Sequence, residues 1–209
     1  MSNPKRWIQS FTGKQVFPLN LKPEQIDVRD IAHALSLKCR FTGHVKHFYS
    51  VGQHTILGSR LVPDEFKLPF LLHEVSEVYL PDIAKPIKDL VYTKETHSRY
   101  KVECDESIDW EVLESMHADV IFEALGLSIL RPLIDSPQVK QMDLAMLTAE
   151  KEQLFATPAP APWGLPEPAA KITILEWGPR IVEAIWLRLF SRYKARDFTT
   201  FGPKIVVPA

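Results

Sequence analysis

The chain has 209 residues, 45% of them hydrophobic and 24% charged, with a formal net charge of -1. That length suits a single domain over 1–209 with a sizeable core, and the near-neutral balance excludes the broad basic field that gathers a nucleic acid polymer. The two cysteines, Cys39 and Cys104, form no CxxC pair, so neither a disulfide framework nor a zinc knuckle is expected, and no run of about 18 apolar residues offers a membrane-spanning helix.

Met1 to Gln9 lacks the apolar centre of a signal peptide, so a cytoplasmic location is expected. Phe11 to Leu21 carries Gly13 and Pro18 and reads as an irregular arm or short hairpin. Asp27 suits the cap of a helix over about Val28 to Leu37, with Ile31, Ala34 and Leu35 on one face. Arg40 to Tyr49 is polar, aromatic and irregular, and Ser50 suits the cap of a helix holding His54 and Ile56 to Leu61. Asp64 suits the cap of the next helix, which carries Phe70 to Leu72, Val75 and Val78 and is ended by Pro81 and Pro86. A long helical stretch is expected from about Glu95 to Leu125, with a solvated acidic face of Glu103, Asp105, Glu106, Asp109 and Glu111. Ser136 and Pro137 open a helix through Glu150, and 156–169 is a stiff Pro- and Ala-rich loop rather than a second domain. A last helix, about 177–193, is expected to bury Ile181, Ala184, Ile185 and Leu189, ahead of a short apolar tail from Lys204 to Ala209. The fold class is all-α.

The chemistry concentrates at His73-Glu74-Val75-Ser76-Glu77. On a helix, His73 and Glu77 share a face, with Glu74 between them. Carboxylates in an otherwise apolar segment need a partner, and a divalent cation is a common one. A zinc peptidase would carry a second histidine where Glu77 stands, so that reading fits poorly.

Three stretches in order, DIAHALSLKCRFTGHVKHFYSVGQHT, LLHEVSEVYLPDIAKPIK and VKQMDLAMLTAEKEQL, resemble the HD-domain nucleotide phosphohydrolases. The likeness is greatest to the YfbR-like 5'-deoxynucleotidases and the small phage dATP triphosphohydrolases, and it runs over about 11–152. It implies an HD-domain helical bundle with His54, His73, Glu74 and Asp143 as metal ligands. It implies Glu77 as the acid that orients or deprotonates the attacking water, and Asp82 as a second acid near the scissile phosphate. Arg40 and Phe41 match an Arg-aromatic pair used on phosphate and sugar, and Lys85 and Lys88 are placed for phosphate oxygens. The implied cofactor is Zn, Co or Mn, with Mg at the phosphates. The implied substrate is a deoxynucleotide: the best match is a dATP or dNTP triphosphohydrolase releasing deoxynucleoside and triphosphate, the alternative a 5'-deoxynucleotidase. A homo-oligomer, dimer or hexamer, is implied as well, with neither a nucleic acid polymer nor a membrane as partner, and a host cytoplasm if the chain is phage-encoded.

One residue departs from the pattern: Glu74 stands where the family usually has Asp, adding a methylene to a ligand. That departure keeps a third reading open, a nucleotide-binding protein with a weakened metal site. Each residue also has a plainer use. A lone histidine such as His54 is ordinarily core or surface, Asp143 and Glu77 suit solvated helix faces, Asp82 suits a turn, Lys85 and Lys88 suit solvent, Arg40 suits a surface ion pair, and Phe41 suits the core. His44 and His47 stand in the polar loop that would border the pocket.

Overall fold

The computed structural model describes residues 6–84, 88, 110–168 and 172–196. They are mostly helical, as expected, with one two-stranded exception at the start. Strands β1 (Ile8–Gln9) and β2 (Gln15–Val16) pair antiparallel, Ile8 opposite Val16. The expected arm is thus a hairpin. The buried Asp30 fastens it to the first helix by accepting from the Thr12 backbone N–H at 2.7 Å and the Thr12 hydroxyl at 2.8 Å.

Helix α1 (Val28–Leu37) has the expected bounds, because the Asp27 carboxylate accepts from the Arg29 N–H and so satisfies one of the free donors of the first turn. Ile31 and Leu35, one turn apart, are fully buried. Helix α2 (Val51–Ser59) starts at Ser50, whose hydroxyl accepts from the Gln53 N–H. It is covered on nearly every side, so its polar residues find partners inside: Thr55 donates to the Gly52 carbonyl and Gln53 to the Leu175 carbonyl.

The segment after α2 departs from expectation. Asp64–Phe66 is a short 3-10 turn entered from Pro63, and α3 covers only Lys67–Leu72. Asp64 pairs with Lys67 and Arg196 rather than capping α3. Glu74 then leaves helical geometry at φ -100°, ψ 20°, and Val75–Val78 is a tighter 3-10 turn. His73 and Glu77 are therefore not brought together by the helical spacing expected of them, since the α-helix ends at Leu72.

Helix α4 (Trp110–Ala124) is the described part of the long stretch expected from Glu95; most of its acidic face and Cys104 lie outside the described residues. An irregular 3-10 segment, Ser128–Asp135, follows. Helix α5 (Pro137–Leu154) is capped by Ser136 onto the Val139 N–H and runs a turn past Glu150. The Pro-rich loop carries no described element and is tied down where Thr148 donates to the Pro166 carbonyl at 2.9 Å.

Helix α6 (Pro179–Lys194) buries Val182, Trp186, Leu189, Phe190 and Tyr193. Of the four positions expected in the core only Leu189 is buried; Ile181 is 54% exposed. The apolar stripe that faces inward lies one residue further along, with the fully buried Trp186 ring stacked on Phe190 at 5.5 Å, and α6 packs against α1. The core joins Ile31 and Leu35 of α1, Val51 and Ile56 of α2, Leu71 of α3 and Trp186 of α6. Helix α2 lies against α1, α3, α5 and α6. That central position brings His54 to the place where α3 and α5 meet it.

Candidate metal centre

His54 projects from α2, His73 and Glu74 from the break that ends α3, and Asp143 from α5. One nitrogen or oxygen of each lies within 4.8 Å of the others. His54 Nε2 is 3.1 Å from Asp143 Oδ1 and 3.4 Å from His73 Nε2, while His73 Nε2 is 3.5 Å from Glu74 Oε1. The residues expected as ligands from three distant stretches thus form one cluster.

The donor set fits a divalent cation on its own terms. His73 Nδ1 is 2.6 Å from the Phe70 carbonyl and His54 Nδ1 is 2.6 Å from Glu150 Oε1. Both contacts ask the imidazole to donate from Nδ1, so in the neutral rings both Nε2 lone pairs face each other. Asp143 Oδ1 is buried with no well-aligned hydrogen bond, although the rest of that side chain is 37% exposed. Two imidazole lone pairs and two carboxylate oxygens converging on one point are unfavourable unless a positive charge joins them, and this mixture suits Zn, Co or Mn.

The electrostatics agree. Burial and the Arg40 charge push the His54 imidazole down, but Glu150 and Asp143 outweigh them and raise it to about 9. The field that holds a proton on His54 is one that also favours a cation in its place. Burial opposes the charge on Asp143, yet the two imidazoles hold it well below the usual carboxylate range.

Around this cluster, Arg40 Nη1 lies 3.4 Å from Glu74 Oε1 and Arg40 Nη2 lies 3.3 Å from Glu150 Oε2. Burial works against the Arg40 charge, and Glu150, Glu74 and Asp143 more than restore it. Phe41 sits beside it, its ring 5.5 Å from the guanidinium carbon and edge-on to Phe155 at 5.2 Å. Phe41 and Thr42 both have positive φ, 55° and 53°, a costly backbone for non-glycine residues that tends to persist where function requires it. Trp163, from the Pro-rich loop, closes the aromatic group 5.5 Å from Phe155.

Glu77 is buried, and its Oε2 has no hydrogen bond. Burial, then the charges of Glu74 and Asp82, hold its carboxyl well above the usual range, against Arg40 and Lys38. Burial raises Asp82 as well. Lys88 donates to Glu114 of α4 at 2.6 Å, and its charge is still felt at Glu77 and Glu74. Lys85 lies outside the described residues. The bordering histidines are less involved: His44 is exposed, and His47 lies near the Phe48 carbonyl.

Three residues of this environment were not anticipated. Glu150 is fully buried against His54, Tyr49 and Arg40. Tyr49 donates its hydroxyl to Glu150 at 2.7 Å, and the Lys38 amine, pushed down by burial, donates to the Leu80 carbonyl close to Glu77 and Asp82. A signal for Glu150 existed: it stands two turns after Asp143 on the same helix, between the apolar positions Met146 and Leu154.

No protein-family model matches the chain. Over 148 residues it is 37% identical to the uncharacterized protein YfdR of Escherichia coli (strain K12), spanning 71% of this chain and 72% of YfdR. Over 93 residues it is 29% identical to an uncharacterized protein of Rhodobacter capsulatus, spanning 40% of this chain and 47% of that protein. At that identity over that share of both chains, this protein belongs to the same family as YfdR.

Proposed function

We propose that this chain is a metal-dependent phosphohydrolase acting on deoxynucleotides. The observation that carries the reading is the convergence of His54, His73, Glu74 and Asp143 beside a buried acid, Glu77, with no fixed partner for one of its oxygens. The resemblance to HD-domain enzymes supports it through the same residues. A bound divalent cation would supply a Lewis acid for a phosphoryl oxygen and a more acidic water. The protein's part is positioning and proton management, which suits phosphoryl transfer. Glu77, raised by burial, holds a proton more readily than a free glutamate, so it can take one from water and return it to the leaving oxygen. Asp82 adds a second raised carboxyl, close enough for its charge to act on Glu77. Phe41 offers a flat apolar face to a deoxyribose, where a 2'-hydroxyl would be left unpaired at a cost of about 1–3 kcal/mol.

The phosphate number separates two readings. The motif likeness favours a triphosphate such as dATP. A specific observation favours a monophosphate: among the described residues, Arg40 is already held by Glu74 and Glu150, and Lys88 by Glu114, so neither is free for an incoming polyphosphate. Chromatography of products from nucleoside mono- and triphosphates with Zn, Co, Mn and Mg decides. Deoxyadenosine with inorganic triphosphate from dATP supports the first reading. Orthophosphate from dAMP with dATP untouched supports the second. Equal rates for ribo- and deoxynucleotides refute the sugar argument, and tight nucleotide binding without hydrolysis under every metal supports a binding protein instead. We propose a homo-oligomer as well, supported by exposed Leu37 and Ile181 bordering one apolar groove; light scattering tests it.

A further inference from the structure

Glu150 has no exposed surface, and an ionised carboxylate in that position is costly unless its oxygens are matched. Its Oε1 accepts the Tyr49 hydroxyl at 2.7 Å and faces His54 Nδ1 at 2.6 Å, while its Oε2 lies 3.3 Å from Arg40 Nη2. A carboxylate has only acceptors to offer, so the proton of a neutral His54 must sit on Nδ1. That leaves the Nε2 lone pair, 3.1 Å from Asp143 Oδ1, as the atom presented to the cluster.

We infer that Glu150 is a positioning residue of the metal centre: it sets the tautomer and ring orientation of His54, and Tyr49 and Arg40 in turn hold Glu150. Helix α5 then supplies both a ligand, Asp143, and the support of a second ligand, His54, from one face. The inference rests on the reading of the cluster as a metal site, not on any particular reaction there. A purely structural ion pair with Arg40 is the competing use. Geometry argues against it, because the closest approach is to His54 and because Tyr49 adds its donor to the oxygen that faces the imidazole.

The test uses the full chain and metal ions alone. Glu150→Gln keeps the side-chain volume but removes the charge and can turn its amide N–H₂ toward His54, disfavouring the Nδ1–H tautomer. Zinc and cobalt affinities, read by competition with a chromophoric chelator, should fall about 10–100-fold with helical circular dichroism unchanged. Tyr49→Phe should give a smaller loss. Zinc affinity of Glu150→Gln within about threefold of the parent would overturn the inference, since losing such a support ordinarily costs at least about tenfold. If Glu150→Gln does not fold, long-range proton–nitrogen correlation spectra of the zinc-loaded parent decide. A His54 protonated on Nδ1 and bound through Nε2 agrees with the inference, and the reverse arrangement overturns it. A parent that binds none of zinc, cobalt or manganese overturns it together with the metal site. A parent that binds metal but hydrolyses no nucleotide overturns the proposed reaction alone, and the affinity comparison still judges Glu150.

Discussion

His73 and His54 take their places by different means. His73 is oriented locally, by a carbonyl three residues earlier on its own helix, whereas His54 is oriented by a side chain from a helix remote in sequence. The ligand atoms therefore depend on both near and distant parts of the chain. His54→Ala and Asp143→Ala should each lose bound metal by more than the ~10–100-fold typical of removing a supporting residue, with helical content nearly intact. Elemental analysis after dialysis checks this, and full occupancy in either variant would refute the ligand set. Glu74→Ala should weaken metal binding too. Glu74→Asp should keep the metal, because a carboxylate remains, but shortening it draws the oxygen away from Arg40, now 3.4 Å distant. Glu74, whose extra methylene departs from the family pattern, thus has a neighbour that the longer side chain reaches.

The break between α3 and Val75–Val78 shapes the site at the level of elements. Ending the α-helix at Leu72 gives Glu74 a backbone that an uninterrupted helix would not allow. Phe70 braces this break: its ring lies 4.5 Å from the His73 ring and fills the space beside Gly58 on α2. A Cβ at Gly58 would overlap that ring. Alanine in place of a helical glycine ordinarily gains about 1 kcal/mol, but overpacking a closed core costs about 1–3 kcal/mol. Gly58→Ala should therefore lower the melting temperature by several degrees and loosen metal binding through His73; a variant that melts higher than the parent would show that Phe70 moves aside freely. A second element contact is sensitive to pH. His117 of α4 is buried against the Pro18 carbonyl at 2.7 Å, and burial pushes its imidazole below the ordinary value. The unfolded chain then binds the proton more readily, so stability falls as pH drops through about 6.5, the ordinary histidine value. His117→Gln, which can still donate to Pro18, should flatten the urea-midpoint profile between about pH 7 and pH 5. An unchanged slope would assign the acid sensitivity elsewhere.

At the scale of the molecule, a cation held by the candidate metal centre would act as a clamp, since the four residues come from α2, α5 and the end of α3 with the turn after it. An ion that binds only the folded chain at about 100 times its dissociation constant adds about 2.7 kcal/mol, or about 5–10 °C for a chain of this size. Chelator-treated protein should melt higher on adding Zn, Co or Mn, and the His54→Ala variant should not. A parent with a metal-independent melting curve would contradict a site of this construction.

Local patterns already specified a good deal. Asp27, Ser50 and Ser136 cap their helices as read, because capping needs only a side-chain oxygen two or three residues from a free N–H. The four ligand candidates were named from linked motifs, and they do meet. Other features followed from interactions no local pattern contains. The end of α3 at Leu72 lies inside an apolar run that reads as one helix. The buried stripe of α6, Val182, Trp186, Leu189, Phe190 and Tyr193, keeps helical spacing, but which of its overlapping apolar stripes turns inward was decided by packing against α1. Glu150 looked like an ordinary residue near a helix end; it acquires a role only because folding carries His54, Tyr49 and Arg40 to it across about a hundred residues of chain and shuts out the water that would otherwise solvate it.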